Sequence, residues 1–503
     1  MDTIIIGKYA LESLTTGMYS DPLVTYREYI QNAADSIDEA AKSGIMARSA
    51  GLITISIDPR ERRVIIEDNG IGISSSKALE TLVNIGNSLK KHNANRGFRG
   101  IGRLSGLSYC GCLIFETSYA GENSAVRVSY DARRLGELLT TRGDEDVTAE
   151  SALLDVLATY EYQESETVHY FRVILEDVTD DSSLLNDEQV LDYLRQVAPV
   201  PFDTNAFHWA NAIEEEYERR FRRVHSYNIR LNTPRISTQV FKPYTNEFDV
   251  GRTNGCKDVI QQIEYATLYD RSGSVSGLVW YGMSNLFGTI ADKSIKGIRV
   301  RVGNILVGDH QTMNSLFKDP RFNGWVIGEI MMGNDELIPN ARRDNFEKNA
   351  AYYHFIEQLE PIAADIVRRI RSVSGQRNKQ LGAILSTVDN AEEKIEDFLR
   401  QARLERAQKG ALSAKVTGAR RALVTVPAGD EDQPVREDAL AQLDMLTGRL
   451  HGITSYKAIN VVPGLTTNDR KLLERIFDNL IKGYPINEAE DCINKILAAI
   501  ARM

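Results

Sequence analysis

The chain has 503 residues, of which 42% are hydrophobic and 26% charged, and this composition indicates a folded protein with several domains. Sixty basic and seventy acidic side chains give a net charge of −10, so the overall composition does not indicate a nucleic-acid-binding protein. Its four cysteines are too few and too scattered for a disulfide framework or a complete zinc site. No apolar run reaches the roughly 18 residues of a membrane span, so we expect a cytoplasmic protein without membrane attachment.

The first predicted element is an amphipathic helix with the sequence YREYIQNAADSIDEA, residues 26–40. Alternating apolar residues then predict two strands, LITISID and VIIEDNG, which are joined by the charged turn PRERR. A helical stretch, the glycine-rich segment GFRGIGRLSG and three more strand-like stretches follow. Together these elements predict one α/β domain over residues 1–185.

The rest of the chain is predicted to contain three further regions. Residues 186–225 include a charged helix and are predicted to connect domains. Residues 226–373 contain the strand candidates YNIRLN, SGLVWYG, GIRVRVGNILVGD and GWVIGEIMM, and they predict a second, middle α/β domain. The region beyond residue 373 is predicted to be helical.

Within that helical region, residues 374–423 carry an apolar seam with coiled-coil spacing. Its members are Leu381, Val388, Ile395 and Ala402 at one set of positions and Ile384, Ala391 and Phe398 at the other. The seam predicts either a coiled coil with another chain or a helix packed on its own domain. A flexible linker is predicted at residues 424–438, followed by two C-terminal helices within residues 439–503 that could dimerise.

The first helix carries an unusual polar stripe. Glu28, Asn32 and Asp35 lie at positions i, i+4 and i+7, so they share one helix face. For this triplet alone, a solvated helix side is the simpler interpretation. The choice between the two interpretations depends on two segments that follow.

The first of these segments is Asp68-Asn69-Gly70-Ile71-Gly72, directly after an apolar strand. It holds a carboxylate at a fixed point, and its glycines allow backbone to approach a flat ligand closely, although Asp-Asn-Gly is also a common turn.

The second segment is Gly97-Phe98-Arg99-Gly100-Ile101-Gly102, whose glycines could present backbone N–H groups to phosphate. Each segment alone is weak evidence. Their order and spacing after the polar helix are far more specific.

The succession E-x-x-x-N-x-x-D, D-x-G-x-G and G-x-x-G-x-G resembles the ATPase superfamily that includes gyrase, the heat-shock protein 90 chaperones, histidine kinases and MutL. The resemblance implies a Bergerat-type α/β sandwich, a mixed sheet covered by helices, that binds ATP with Mg²⁺ and hydrolyses it. By this resemblance, Asp68 would accept a hydrogen bond from the adenine amino group and Asn32 would be a ligand to Mg²⁺. Glu28 would polarise the attacking water, and Asp35 would support the base pocket.

The resemblance also implies a lid over the nucleotide, formed by residues 73–96. Further nucleotide contacts would come from Gly70, Gly72, Asn84, Lys90, Gly97, Gly100, Ile101 and Gly102. For Lys90 an exposed lysine pair with Lys91 is a substantial alternative. The threonine that usually closes this pocket from a later strand is not evident. The nearest candidate, Thr167, is displaced upstream.

The segment GWVIGEIMMGNDELIPNARRDNFEKN resembles the middle domain of the chaperones, where an arginine contacts the γ-phosphate from outside the nucleotide domain. A guanidinium suits that task because it can match the charge that spreads over the phosphoryl group during transfer. Arg343 is the predicted catalytic residue and Arg342 the competing candidate. Alternatively, the basic pair only caps a helix or pairs with Asp344 and Glu347.

These resemblances together predict an ATP-dependent chaperone of the heat-shock protein 90 type, which acts as a homodimer on protein clients or on a dedicated partner protein. The alternative is a clamp of the MutL or microrchidia type that closes on DNA. The acidic composition and the middle-domain segment favour the chaperone.

Overall fold

The computed structural model describes most of the chain. The described residues are 11, 21–84, 102–140, 148–179, 183–251, 256–333, 337–400, 406–426, 432–451 and 464–502. They belong to two compact units. The first comprises Met1–Asp249, Lys257–Asn285 and Thr289–Val367, and the second comprises Val250–Cys256, Leu286–Gly288 and Arg368–Met503.

The first unit is built on an eight-stranded mixed sheet. Its strands are β1 (Leu52–Asp58), β2 (Arg63–Asp68), β3 (Cys112–Ser118), β4 (Ser124–Asp131), β5 (Leu157–Gln163), β6 (Tyr170–Glu176), β7 (Asn228–Asn232) and β8 (Ser237–Gln239). They lie in the order β5-β4-β3-β6-β2-β1-β7-β8. The β1–β7 pair is parallel and the other pairs are antiparallel.

Helices in the same part of the chain precede, interrupt and follow these strands. They are α1 (Val24–Lys42), α2 (Ser75–Val83), α3 (Ala132–Thr140), α4 (Ala149–Asp155), α5 (Asp187–Val197) and α6 (Ala210–Arg220). A 3₁₀ helix covers Gly102–Ser108.

Buried apolar residues alternate with more exposed ones along the strands, and this alternation gives the sheet an apolar face on which helices can pack. On β1, Ile53, Ile55 and Ile57 are at most 2% exposed, whereas the residues between them are half-buried. The same core includes Tyr29 and Ile37 of α1, so this helix packs on the apolar face of the sheet. The site residues of α1 are thereby fixed against the strand ends.

A second, five-stranded sheet forms the middle of the chain. Its order is β11-β12-β15-β13-β14, with β13 and β15 parallel. The strands of this region are β9 (Glu247–Asp249), β10 (Lys257–Val259), β11 (Gln262–Tyr269), β12 (Val275–Met283), β13 (Gly297–Val302), β14 (Ile305–Val307) and β15 (Ile327–Met332), of which β9 and β10 pair only with each other.

One strand pairing differs from the sequence-based expectation. The segment YNIRLN, expected in the middle domain at 226–373, forms β7 and pairs with β1 of the first sheet from Leu52↔Asn228 to Ser56↔Asn232. Its alternation identified the strand correctly, but the choice of sheet depends on a pairing partner more than 170 residues earlier, which local sequence does not specify.

The remaining helices are α7 (Ala350–Arg400), α8 (Arg406–Thr425), α9 (Gln433–His451), α10 (Thr467–Gly483) and α11 (Ile486–Ile500). Helix α7 runs through residue 373, where a boundary was expected. Its apolar seam packs within its own unit: Leu381, Val388, Ala391 and Ile395 share a core with residues of α8 and α9.

Helices α10 and α11 form a hairpin. Thr466 and Asp469 make a capping box at the start of α10, which explains where that helix begins. The predicted fold class, an α/β sandwich, a second α/β region and a helical C-terminal region, is confirmed. In the part of the chain that the structure describes, no helix is long and apolar enough to cross a membrane.

Candidate functional site

The polar stripe of α1 is partly enclosed by the protein. Glu28 is only 9% exposed, and Asn32 and Asp35 are half-buried. Most of the neighbouring residues of α1 are also buried. A carboxylate is rarely enclosed in this way without a partner or a function, so Glu28 is a candidate functional group.

Glu28 contacts a cation and the end of the glycine-rich segment. Arg27 Nη2 lies 3.4 Å from Glu28 Oε1. A Cβ atom added at Gly102 would overlap the Glu28 carboxylate, so a side chain there would displace that carboxylate. Tyr29 holds the next turn in place, since its hydroxyl donates to the Arg103 carbonyl over 2.9 Å and accepts from the Gly106 N–H over 3.1 Å. The structure thus brings Gly102 against Glu28.

The second motif lies at the C-terminal end of β2. Asp68 is 2% exposed, and its Oδ1 accepts the Gly70 N–H over 2.9 Å. A Cβ at Gly70 would overlap Ser36 of α1, next to Asp35, and a Cβ at Gly72, where φ is +72°, would overlap the Ser118 carbonyl. Both glycines are therefore required by the close approach of neighbouring backbone. The D-x-G-x-G segment and α1 meet at this point.

The D-x-G-x-G segment is also held by Thr117 and His169, which were not predicted from the sequence. Thr117 is 1% exposed; its Oγ1 accepts the Ile73 N–H over 2.8 Å and donates to the Tyr170 carbonyl over 3.2 Å. His169 donates from Nδ1 to the Gly70 carbonyl over 2.6 Å. Every second residue of β3 from Leu113 is apolar until Thr117, which places a hydroxyl where the pattern predicts an apolar side chain. This break in the pattern could have identified Thr117 from the sequence.

Thr167, the nearest candidate for the missing threonine, is exposed and its hydroxyl lies 2.9 Å from that of Ser165. By strand register, Thr117 instead shares a row with Phe171 and Asp68 across β3, β6 and β2. Thr117 is therefore a candidate for the role that was left unassigned.

The lid residues are described only in part. Asn84 follows α2 directly and is exposed, and its carbonyl accepts Arg103 Nη2 over 2.6 Å. Lys90, Gly97, Gly100 and Ile101 lie outside the described residues. Their assignment to the nucleotide site remains a prediction.

The arginine loop of the middle domain, residues 337–346, approaches α1. Arg27 Nη2 donates to the Arg342 carbonyl over 2.8 Å, so one guanidinium contacts both Glu28 and this loop. Arg343 has a φ of +55°, which is uncommon for a residue with a side chain and occurs more often at functional sites. Asp344, proposed above as an alternative partner, accepts Asn340 Nδ2 over 2.6 Å.

Comparison with known proteins gives two results. Residues 24–150 match the family model described as histidine kinase-, DNA gyrase B-, and HSP90-like ATPase. Parts of the chain are also similar to proteins named chaperone protein HtpG from several bacteria.

Three of these relatives illustrate the extent of the similarity. The HtpG of Rhizobium meliloti (strain 1021) is 36% identical over 84 residues, which are 16% of this chain and 13% of the relative. That of Acinetobacter baylyi is 30% identical over 137 residues, or 23% of this chain and 21% of the relative. That of Rickettsia canadensis is 24% identical over 186 residues, which are 33% of this chain and 29% of the relative. Each match spans less than a third of the relative's length.

The family match contains Glu28, Asn32, Asp35, Asp68 and the glycine segments, and it confirms the superfamily predicted from the three motifs. Residues 24–150 of this chain are thus similar to the ATPase domain of the histidine kinase, DNA gyrase B and HSP90-like family.

Proposed function

We propose that the protein is an ATP-dependent chaperone-like ATPase of the HtpG type, which uses ATP binding and hydrolysis to drive clamp closure and remodelling of protein clients. The contact of Arg27 with both Glu28 and the Arg342 carbonyl carries this proposal. It joins the nucleotide domain to a loop of the middle region, and an arginine supplied from a second region is what the chaperone resemblance implies. The matches to HtpG proteins support the same branch.

The described residues fit a bound adenine nucleotide. The buried Ser36 hydroxyl, beside Gly70, has no hydrogen-bond partner among the described residues. Asp68, at 2% exposure, is a carboxylate acceptor enclosed at the end of β2. The exocyclic amino group of adenine could donate to this carboxylate, whereas guanine presents a carbonyl at that position.

In the proposed mechanism, Asp68 selects adenine, and Asn32 would hold Mg²⁺ through its side-chain oxygen. Bound Mg²⁺ would neutralise charge that develops on the phosphates. Glu28 orients and deprotonates the attacking water, which requires the carboxylate to be close and ionised. Arg343 stabilises negative charge on the transferred phosphoryl group, and Arg27 holds the loop that presents it.

The C-terminal hairpin supports the proposed homodimer. Among its described side chains, Phe477, Ala489 and Ile493 are buried, whereas Leu472 is 59% and Ile476 40% exposed. Two helices cannot enclose an apolar core by themselves, but two such hairpins can form a four-helix bundle. We propose that a second copy covers this face and that the protein acts in the cytoplasm.

The proposal is tested by measuring ATP hydrolysis by the full chain and suppression of aggregation of a heat-unfolded reporter enzyme, with and without ATP. Glu28→Ala is the matched variant, because it should retain ATP binding but not the hydrolytic cycle. Nucleotide-dependent protection that this variant alters supports the proposal. Absence of ATP hydrolysis contradicts it, and hydrolysis stimulated by duplex DNA, with a steep loss in salt, supports the DNA clamp instead.

A further inference from the structure

The arginine loop is held from a second side by the hairpin of β13 and β14. Gly308, directly after β14, donates its N–H to the Arg343 carbonyl over 2.8 Å. Its φ is +70°, and a Cβ there would overlap Thr312 and lie 2.8 Å from the Asp344 carbonyl. Only glycine therefore allows the hairpin and the loop to approach this closely.

The other end of this hairpin is fixed by a buried ion pair. Arg301 of β13 and Glu329 of β15 are both at most 1% exposed, and Arg301 Nε donates to Glu329 Oε1 over 2.5 Å. Lys242 Nζ and the Tyr244 hydroxyl also donate to the Glu329 carboxylate, over 2.6 and 3.2 Å. Burial alone would raise the pKa of Glu329, but Arg301 and Lys242 outweigh it and lower that pKa to about 2. Glu329 is thus ionised at neutral pH.

Arg301 uses its remaining nitrogens to bind backbone on two elements. Nη2 donates to the Gln196 carbonyl over 2.6 Å and Nη1 to the Ala198 carbonyl over 3.3 Å, at the C-terminal end of α5. Nη1 also donates to the Asn304 carbonyl over 3.1 Å, in the turn between β13 and β14. One rigid guanidinium therefore fixes the hairpin turn relative to α5.

Helix α5 in turn packs beside α1. Ile305 of β14, Leu194 of α5 and Ile30 of α1 line the same cleft, together with Arg27. A continuous chain of contacts thus runs from Glu329 through Arg301 and the hairpin to Gly308 and the Arg343 carbonyl.

A buried ion pair is a poor source of stability, because apolar side chains of similar size often stabilise equally well. Its fixed donor geometry does specify position, and catalysis is sensitive to displacements of about 1 Å. We propose that Arg301 and Gly308 are positioning residues, which hold the arginine loop where its guanidinium can reach the nucleotide.

This inference rests on the proposed function, and a double-mutant cycle tests it in the full chain. Arg301→Lys keeps a positive charge for Glu329 but loses the fork that binds Gln196 and Ala198. Gly308→Ala places a Cβ against Thr312 and the Asp344 carbonyl of the loop, at a φ of +70° that alanine disfavours. Each should lower kcat about 10-fold or more with KM for ATP within about 2-fold of the parent. In a background with Arg342→Ala and Arg343→Ala, each should have almost no further effect, because the group that they position is gone.

The matched control is Arg235→Lys. Arg235 also pairs with a buried carboxylate, that of Asp187, but at the opposite end of α5. The Arg235→Lys substitution should therefore leave kcat unchanged. Thermal unfolding of every variant checks that the fold is kept.

The inference would be overturned if Arg301→Lys and Gly308→Ala each slowed hydrolysis as much in the double-alanine background as in the parent. It would also be overturned if both variants kept the kcat of the parent. If the double-alanine protein itself hydrolyses ATP like the parent, the proposed arginine role fails and the positioning role fails with it.

Discussion

Arg27 Nη2 donates to the backbone carbonyl of Arg342, 315 residues later in the chain, over 2.8 Å. The same nitrogen lies 3.4 Å from Glu28 Oε1, so it links the candidate base to the arginine loop. Because the contact on the loop is a carbonyl, it does not depend on which side chain residue 342 carries. Either arginine can be replaced by alanine without removing this acceptor.

Replacement of Arg343 by alanine should slow ATP hydrolysis by about 10-fold or more, through lost stabilisation of charge in the transition state. Affinity for ADP should stay nearly unchanged, because ADP has no γ-phosphate for Arg343 to contact. Steady-state kinetics and calorimetry measure the two quantities. Arg342→Ala is the control and should have much less effect. A larger effect at residue 342 would move the catalytic role by one position.

Replacement of Glu28 by alanine should separate binding from chemistry. The carboxylate is proposed to act on water, so ATP should still bind, whereas turnover should fall by roughly 10²- to 10⁴-fold. Single-turnover kinetics and nucleotide binding by calorimetry measure the two effects. Hydrolysis near the parent rate would show that the buried carboxylate is structural.

Adenine recognition is tested at Asp68. Asp68→Asn is nearly isosteric but replaces a charged acceptor by an amide, which should weaken ATP binding by on the order of 1.5–3 kcal/mol. Circular dichroism should show a retained fold, since the Gly70 N–H can bond to the amide oxygen. An unchanged ATP affinity in the folded variant would refute the assignment.

The motifs of the first 102 residues and the strand periodicities could be recognised from the sequence, because they depend on local order and spacing. Two features could not be recognised in this way: the sheet that β7 joins and the contact that Thr117 makes with Ile73. Strand β7 joins the first sheet through its register with β1, and Thr117 reaches Ile73 because β3 lies beside β6. Both depend on which distant strands become neighbours, and alternation specifies only which face of a strand is apolar.

Thr117 gives a test of this structural assignment. Thr117→Val keeps the shape of the side chain but removes the hydroxyl that the Ile73 N–H uses, so the segment after Gly72 should be held less firmly. We expect ATP affinity to fall by about 5- to 30-fold, equivalent to about 1–2 kcal/mol. Thr167→Val, at an exposed site, is the matched control and should bind ATP like the parent. The same small effect in both variants would remove Thr117 from the site.

The buried cluster around Glu329 predicts a pH-dependent contribution to stability. The folded-state pKa of this carboxyl is about 2, below its ordinary value of 4.5, because Arg301 and Lys242 outweigh the opposing effect of burial. A lowered carboxyl pKa stabilises the fold above pH 4.5, and this stabilisation is lost as the pH falls from about 4.5 to about 2. Its size is on the order of 3 kcal/mol.

Glu329→Gln lacks this titrating group, so the difference in unfolding free energy between the parent and this variant should be largest near pH 6 and should shrink steadily below pH 4.5. Urea unfolding at several pH values between 2.5 and 6 measures the difference. Burial lowers the pKa of Lys242 to about 8 despite Glu329, so this range keeps Lys242 protonated throughout. A difference that stays constant with pH would mean that Glu329 is not held ionised by its two cations.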